Sequence, residues 1–463
     1  MSIIDTLIHL ENTSFDASRA EAALSAANLR RMRAEFEASR ANHIAQNAVT
    51  QAPLDDVALN RAVLVTTDHS FSHTLDDWEV TNQKQTGRCW MFAGLNLFRV
   101  GAMRKMGIKA FEFSQNYTLF WDKLERSNYF LEAIIETADR PLDDRTVGFL
   151  LERPLEDGGQ WNMFVNLVKK HGLVPKAFMP ETESSSNTRR MNSLLWYKLR
   201  EGARTLRQVQ EQGGDISAMR AAKSEMLDEI HRMLCIHLGT PPESIEWQWT
   251  DDNGQFHRDP EMTPQEFAAT YVDLPLDDYV CLVHDPRPEN PSGRTYTVEY
   301  LGNVVDGEIV TYLNVDIDLM KSIASKTIVA GESVWFGCDV GKMMRRDLGV
   351  WDVDLFEYGA LYDTEFTLSK AERLQYHETL MTHAMLFTGV DIVEGDTRRW
   401  RVENSWGEEN GRKGFFVMND SWFDEYTFEI AAHKRHLPIE LQEALAQEPT
   451  VLSAWDPMGA LAR

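Results

Sequence analysis

Hydrophobic spacing divides the chain into a helical first half and a strand-rich second half. Apolar residues recur every three to four positions in residues 17–47, after Cys89, after Ser114 and twice within residues 190–240. This spacing is typical of helices with one buried face. The run at residues 62–66 is short, apolar and rich in β-branched side chains, so it predicts a strand.

From about residue 278 onward the apolar runs become short or alternate with polar residues, which predicts strands. Val304-Val305 and Ile309-Val310 flank an Asp306-Gly307 pair, a combination that predicts a hairpin. Helices followed by strands indicate an α+β fold with two lobes and a cleft between them.

Charge and cysteine usage narrow the functional classes. The chain has 72 acidic and 47 basic residues, for a net charge of -25, so we expect no nucleic acid as a partner. The basic runs at residues 30–33 and 344–346 are short and flanked by acids, which favours solvated helix faces.

The four cysteines form no CxxC pair and no metal-type spacing, which favours a reducing compartment. No segment approaches the roughly 18 apolar residues of a membrane helix, and the N-terminus does not have a signal-peptide pattern, so we expect a cytoplasmic location and no membrane partner.

The strongest candidate for chemistry is Cys89, where a polar, glycine-containing run becomes helical. Unpaired amides and the helix dipole at a first turn favour a thiolate. A lone cysteine beside Trp90 and Phe92 is more often a buried core thiol than a nucleophile, so Cys89 by itself does not identify an active site. Gln83, six positions upstream, carries an amide that can donate to an oxygen held near the sulfur.

The other parts of an acyl-transfer site follow in the second half. His383 stands at the entry of an apolar strand, and Asn404 is predicted at the end of the strand after next. Neighbouring strands bring both residues to one rim of a sheet, where an amide can fix the tautomer of the base. The pair Gly158-Gly159 permits the close approach of a second backbone, although such a pair alone is only a turn.

Taken together, these motifs resemble the papain-like cysteine peptidases. The resemblance rests on five motifs in chain order: Gln83, Cys89-Trp90, Gly158-Gly159, His383-Ala384 and Asn404-Ser405-Trp406-Gly407. Longer phrases resemble the bleomycin hydrolase and aminopeptidase C branch from about residue 60 onward, among them Asp157-Gly158-Gly159-Gln160-Trp161 and Trp455-Asp456-Pro457-Met458-Gly459. Two departures from ordinary papain-like enzymes fit that branch. Thr86-Gly87-Arg88 replaces the usual Cys-Gly-Ser before the nucleophile, and Cys89 and His383 are 383 − 89 = 294 positions apart.

The resemblance implies a papain-like two-lobed α+β fold, with a helical lobe and an antiparallel β-barrel-like lobe. Its expected parts are an N-terminal helical segment packed on the body (1–75), a helical catalytic lobe (76–189), a helical and hairpin insertion with oligomer contacts (190–275), a β-rich catalytic lobe (276–430) and a C-terminal arm entering the cleft (431–463).

The resemblance also implies a role for each site residue. Cys89 would be the nucleophile, His383 its base and then its acid, Asn404 the group that orients His383, and Gln83 an oxyanion donor. The expected substrate-binding residues are Gly158, Gly159, Trp406 and Ala462, and Trp406 would also shield the Asn404–His383 bond from water. No metal or other cofactor is expected, because His377 and His383 lie six positions apart rather than at the four-residue spacing of a zinc peptidase helix.

The function implied is that of a cytoplasmic cysteine aminopeptidase that removes N-terminal residues from short peptides with a free N-terminus and hydrolyses peptide-like amides. The mechanism implied is attack by a thiolate–imidazolium pair and formation of an acyl-enzyme. The resemblance further implies a homohexamer, and we hypothesise that the enzyme removes its own Arg463. Two alternatives remain open: a papain-like endopeptidase and a catalytically silent oligomeric peptide-binding protein.

Overall fold

The computed structural model describes residue 19 and residues 22–75 and 78–462. The described residues form two compact units, the first from those up to Arg61 together with Phe356–Thr367 and the second from the remaining described residues. Residues 1–18, 20, 21, 76, 77 and 463 lie outside the described residues, and with them part of the helix predicted at 17–47 and the hypothesis on Arg463.

Seventeen α-helices occur in the described part of the chain. Their bounds are α1 (Ala26–Ala38), α2 (Arg40–Val49), α3 (Leu54–Val57), α4 (Arg61–Thr66), α5 (Cys89–Met106), α6 (Gln115–Glu136), α7 (Arg145–Glu152), α8 (Trp161–His171), α9 (Glu183–Ser186), α10 (Arg189–Glu211), α11 (Ile216–Leu238), α12 (Pro264–Tyr271), α13 (Ile317–Val329), α14 (Tyr358–Tyr362), α15 (Lys370–Gln375), α16 (Asp420–Tyr426) and α17 (Ile439–Ala444). Single 3₁₀ turns cover Lys176–Phe178, Leu276–Asp278, Lys434–His436 and Pro457–Ala462. None of the described helices is long and apolar enough to cross a bilayer.

The strands are β1 (His73–Thr74), β2 (Gln248–Thr250), β3 (Phe256–Arg258), β4 (Tyr279–Val283), β5 (Thr295–Val298), β6 (Tyr312–Asn314), β7 (Val334–Cys338), β8 (Met344–Arg345), β9 (Val350–Trp351), β10 (His383–Val393), β11 (Asp396–Glu403), β12 (Phe415–Asn419), β13 (Thr427–His433) and β14 (Thr450–Leu452). The hairpin β2–β3 stands alone, and the other twelve strands form one sheet in the order β14-β5-β6-β4-β13-β7-β10-β11-β12-β9-β8, with β1 on β10. The expected antiparallel pairing holds for most neighbouring strands, such as β7–β10, β10–β11 and β11–β12, whereas β4–β6, β5–β14 and β9–β12 pair in parallel, so the sheet is mixed.

The helices that the spacing predicts are present, with one break. Ser39 ends α1 by donating its N–H to the Phe36 carbonyl, and its side chain accepts the Asn42 N–H to begin α2. A single serine that serves as the cap of two helices divides the predicted continuous segment into two.

The strand predicted at residues 62–66 is wrong, because α4 occupies this run. The Thr67 N–H donates to the Val63 carbonyl at 2.9 Å, and the Thr66 hydroxyl donates to the Ala62 carbonyl at the same distance. A five-residue apolar run is compatible with one helical turn as well as with a strand, and periodicity does not separate the two.

The hairpin predicted around Asp306-Gly307 is also wrong. The turn itself forms, since the Gly307 N–H donates to the Val304 carbonyl at 3.1 Å. The chain after it binds a helix side chain instead of a partner strand: the Glu308 N–H and carbonyl both pair with the Asn166 amide of α8, at 3.0 and 2.8 Å.

The packing of α5 on the sheet fixes the place of its first residue. Trp90 on α5 and Trp335 on β7 are both fully buried, and the Trp335 indole N–H donates to the Trp90 carbonyl at 3.0 Å. Strand β7 pairs with β10 from Cys338 opposite His383 onward. The start of α5 therefore lies near the start of β10, at the end of the sheet where β10 begins.

A buried carboxyl on β13 gives the fold a specific pH dependence. Neither oxygen of Glu429 has a hydrogen-bond partner among the described residues. Burial raises the pKa of Glu429 to about 8, and the neighbouring Cys281 thiol opposes the shift only in part. The folded state therefore holds a proton that the unfolded chain releases near its ordinary pKa of 4.5. The stabilisation of the folded state by protonated Glu429 is therefore complete below pH 4.5 and is lost as the pH rises towards 8.

At pH 8.5 we expect the free energy of unfolding of Glu429→Gln to exceed that of the wild type by on the order of 3 kcal/mol, so the variant unfolds at a higher urea concentration. Near pH 4.5 this difference should vanish. Urea unfolding at both pH values measures it. Glu440→Gln, at an exposed carboxyl of α17, serves as the control and should follow the wild type at both. A Glu429→Gln protein with the same pH dependence as the wild type would contradict this account.

Candidate active site

Cys89 is the first residue of α5 and is 3% exposed. Burial raises the pKa of its thiol to about 11, against the opposing backbone N–H groups of Ala384, Trp90 and Cys89 itself. The amides expected at a helix start are therefore present, yet desolvation outweighs them. In the free site, burial therefore favours the thiol over the thiolate.

His383 and Asn404 meet at the rim of the sheet. His383 begins β10 and Asn404 follows β11, the direct antiparallel neighbour of β10 rather than the strand after next. The His383 Nε2 and Asn404 Oδ1 atoms lie 3.0 Å apart. The Ser405 N–H donates to the same Oδ1 at 2.8 Å, which identifies that atom as the amide oxygen. Because Asn404 Oδ1 is the acceptor in this bond, His383 Nε2 must carry the proton. The His383 Nδ1 atom therefore has a free lone pair that can accept a proton.

Burial lowers the pKa of His383 to about 4; the bond to Asn404 opposes the shift, and the Arg346 guanidinium adds to it. The imidazole is therefore neutral and able to accept a proton at neutral pH. The Cys89 Sγ itself donates to the Gly87 carbonyl at 3.8 Å.

Gln83 is fixed beside the strand that carries Asn404. Its backbone N–H donates to the Ser405 carbonyl at 2.9 Å, and its Oε1 accepts from the Ser405 hydroxyl at 2.6 Å. Its Nε2 donates to the Thr86 carbonyl at 2.6 Å. A primary amide has two N–H groups, so a second donor remains for an oxyanion. Sequence reasoning missed the holding role of Ser405, although this residue belongs to the Asn-Ser-Trp-Gly motif.

Trp406 lies against the base. Its ring centroid is 4.9 Å from that of His383, at an interplanar angle of 31°. The Arg346 guanidinium lies 4.5 Å from the same indole. The chain before Gln83 pairs with this segment through a bridge between Asn82 and Trp406. The indole thus lies against the His383 ring, and its shielding of the Asn404–His383 bond from water stays a prediction.

The chain's last described residues, Pro457–Ala462, form a buried segment that we call the arm. At its start, the Arg287 guanidinium donates to both carboxylate oxygens of Asp456, at 2.9 and 3.0 Å. The Tyr312 hydroxyl donates to the Met458 carbonyl at 3.2 Å. The arm is therefore anchored by charge and by hydrogen bonds as well as by its apolar side chains.

The end of the arm lies on Gly158. A Cβ at this glycine would stand 2.1 Å from the Leu461 carbonyl oxygen, so only glycine permits the approach. Arg126 on α6 donates to the Gly158 carbonyl and, at 3.5 Å, to the Ala462 carbonyl. The Arg126 Nε is held by both oxygens of Asp122 at 2.9 Å. No sequence signal singled out Arg126.

Gly159 has a different neighbour. A Cβ there would stand 2.5 Å from the Trp90 indole, whose N–H donates to the Asp157 carbonyl at 2.7 Å. Burial alone would raise the pKa of Asp157, but the Lys123 ammonium at 2.7 Å holds it well below its usual range. The structure thus places Gly158 against the arm and Gly159 against the core of the α5 region.

A second buried ion pair connects α5 to the strand that precedes Asn404. The Arg99 guanidinium donates to Glu403 Oε1 at 2.8 Å, and the Asn96 amide donates to the same oxygen at 3.0 Å. This network ties the helix that begins with Cys89 to the residue before Asn404. Among the described residues, no group of three His, Cys, Asp or Glu side chains is arranged to hold a metal ion.

A thiol at a helix start, an imidazole fixed by an amide and a glutamine held by the residue after that amide are typical of one class: the papain-like cysteine peptidases. Comparison with known proteins agrees. Residues 23–459 match the Peptidase C1-like family. The chain therefore belongs to this family of papain-like cysteine peptidases, in its aminopeptidase branch.

The relatives cover most of the chain. Aminopeptidase C of Listeria innocua is 46% identical over 392 residues, covering 85% of this chain and 88% of its own. Bleomycin hydrolase of Homo sapiens is 44% identical over 429 residues, covering 90% and 94%. The crystal structure of PepW from Lactobacillus rhamnosis superposes with a TM-score of 0.93 at 47% identity, covering 95% and 99%.

Proposed function

We propose that this chain removes N-terminal residues from short peptides, and hydrolyses peptide-like amides, through an acyl-enzyme on Cys89. The observation that carries the proposal is the position of the arm on Gly158, beside a Cys–His–Asn site. We further propose a cytoplasmic enzyme without a cofactor.

The reaction passes through a thiolate–imidazolium pair. As the polar amide of a substrate enters the site, the Cys89 thiol passes its proton to His383 Nδ1, and the resulting thiolate attacks the carbonyl carbon. Asn404 stabilises the imidazolium in the orientation that its bond to Nε2 imposes. The oxyanion accepts hydrogen bonds from the free N–H of Gln83 and from the Cys89 backbone N–H.

The second half of the reaction returns the proton. His383 protonates the leaving amine, the C–N bond breaks, and the acyl group remains on sulfur as a thioester. His383 then takes a proton from water, which attacks the thioester. Collapse of this intermediate releases the carboxylate product and restores the Cys89 thiol.

The arm supports cleavage at the N-terminus rather than inside a chain. It lies along the Gly158 wall, where an acyl-side extension of the substrate would otherwise pair. The carbonyls of Leu461 and Ala462 are acceptors suited to the ammonium group of a free N-terminus. A cavity of about 600 Å³, lined by Phe130, Met381 and Ala462 among others, gives room for the first side chain.

A two-lobed arrangement with a β-barrel-like lobe, and assembly as a homohexamer, are part of the same proposal. The large apolar side chains that α10 and α11 expose, Tyr197, Ile216 and Ile236, support a contact surface there. Such an assembly restricts entry to short peptides.

The test is an assay of one fluorogenic dipeptide amide with a free amine and of its N-acetylated form, with and without iodoacetamide. We expect cleavage of the free-amine substrate only, and loss of that activity after alkylation. Cleavage of the acetylated form at a similar rate would favour the endopeptidase alternative. Binding of peptides without cleavage of either would favour the silent peptide-binding alternative.

A further inference from the structure

Arg346 stands beside the catalytic base without belonging to the catalytic group. It follows β8 and is exposed, and its guanidinium lies over the Trp406 indole, which in turn contacts His383. The sequence predicts a solvated helix face at residues 344–346, and this prediction is wrong. A strand end and a turn bring Arg346 to the site instead.

The guanidinium is held in place by more than the indole. Its Nε donates to Asn410 Oδ1 at 3.2 Å, and the Asn410 amide donates to the Trp406 carbonyl at 3.4 Å. Arg346 thus contacts the Trp406 segment in two ways: the guanidinium lies over the indole, and its Nε binds Asn410, which in turn binds the Trp406 carbonyl. A planar cation fixed in this way loses little conformational freedom when it binds a planar anion.

The charge of Arg346 is not neutralised in the same way as that of its neighbour. Arg345 pairs with the Asp347 carboxylate at 2.9 Å. For Arg346, no carboxylate within the described ranges lies at ion-pair distance. In a chain of net charge -25, a fixed guanidinium without an acidic partner is a local site of attraction for anions.

The orientation of the peptide substrate in the site determines which part of it can reach the Arg346 guanidinium. Under the function proposed above, His383 protonates the leaving amine, so the residue after the scissile bond must pass the imidazole. The arm covers the Gly158 wall on the acyl side. The leaving residue therefore passes Trp406 and comes within reach of Arg346.

We propose that Arg346 is a specificity-determining residue that binds a carboxylate on the leaving part of the substrate. That carboxylate belongs either to an acidic side chain on the first leaving residue or to the C-terminus of a dipeptide. Both present the same planar anion, and an arginine binds it through two parallel N–H donors.

Three dipeptides separate the two sources: Ala-Gln-amide, Ala-Glu-amide and Ala-Gln with a free C-terminus. The wild type, Arg346→Gln and Arg345→Gln are compared by kcat/KM on each, with release of alanine as the readout. In the wild type we expect at least one carboxylate-bearing peptide to exceed Ala-Gln-amide. We expect Arg346→Gln to lower that ratio by about fivefold. Arg345→Gln is the matched control, and its ratios should equal those of the wild type.

The outcomes assign the source or overturn the inference. Loss of the Ala-Glu-amide advantage alone identifies the side-chain carboxylate, and loss of the free-acid advantage alone identifies the C-terminal one. Equal ratios in the wild type and Arg346→Gln, with both enzymes active, would overturn the role of Arg346 and leave the proposed function intact. A wild type that cleaves none of the three peptides would overturn the proposed function and this inference with it.

Discussion

Replacing Cys89 with alanine is expected to lower kcat/KM for a free-amine peptide by about 10⁴-fold or more. The thiol is the only group at the start of α5 that can form the acyl-enzyme, and His383 has no other nucleophile to activate at this position. The fold should survive, because Cys89 is small and its loss leaves the buried contacts of Trp90 in place. Steady-state kinetics together with a thermal melt of the variant measure both effects.

The control for Cys89→Ala is Cys235→Ala. Cys235 is a half-buried free thiol on α11, and its contact is His231 of the same helix. Its variant should retain nearly all activity and should remain sensitive to iodoacetamide. Substantial activity in Cys89→Ala, or loss of activity in Cys235→Ala, would show that the thiol-dependent chemistry does not take place at the start of α5.

Removing residues 459–463 is expected to convert an aminopeptidase into an enzyme that also cleaves inside peptides. The truncation withdraws the Leu461 carbonyl from Gly158 and the Ala462 carbonyl from Arg126, so the acyl side of the cleft opens. We expect kcat/KM for an N-acetylated peptide to rise at least about tenfold relative to the free-amine form, a change of about 1.4 kcal/mol in the relative barriers. The anchors at Asp456 and Met458 remain in the truncated chain.

Removal of residue 463 alone is the matched control for the truncation. It leaves the buried residues Gly459–Ala462 in the chain, so the preference for a free amine should persist. An unchanged ratio after removal of 459–463, in a protein whose thermal midpoint matches the control, would show that the arm does not select the N-terminus. The alternative of a papain-like endopeptidase would then gain support.

Sequence patterns located most of the groups that carry the proposed chemistry. The change from a polar run to helical spacing predicts α5 beginning near Cys89, and the structure begins it there. The apolar run after His383 predicts a strand, and β10 begins at His383. These elements are predictable because each is long and its periodicity is strong. The strand predicted at 62–66 and the hairpin around Asp306-Gly307 failed because each rests on a run of only a few residues.

The electrostatic state of the site was not predictable. The first turn of a helix favours a thiolate by its amides and dipole, and that argument is local. Burial depends on everything packed around Cys89, and it raises the thiol pKa to about 11 while lowering that of His383 to about 4. The sign of each shift is therefore decided by the packing of the whole fold around these two side chains. No pattern along the chain contains that information.

The sequence by itself determined the chemical inventory: a thiol at a helix start, an imidazole and an amide on neighbouring strands, and a glycine pair for a close backbone. These follow from local rules, since capping, periodicity and residue type act over a few positions. Only the tertiary structure decided which residues hold that inventory in place. Arg126 fixes the arm on Gly158 and Arg346 lies over Trp406, although each is more than 30 positions from the site residue it contacts. Long side chains on separate elements meet only after the sheet and helices have packed, and so their pairing cannot be deduced from the order of residues.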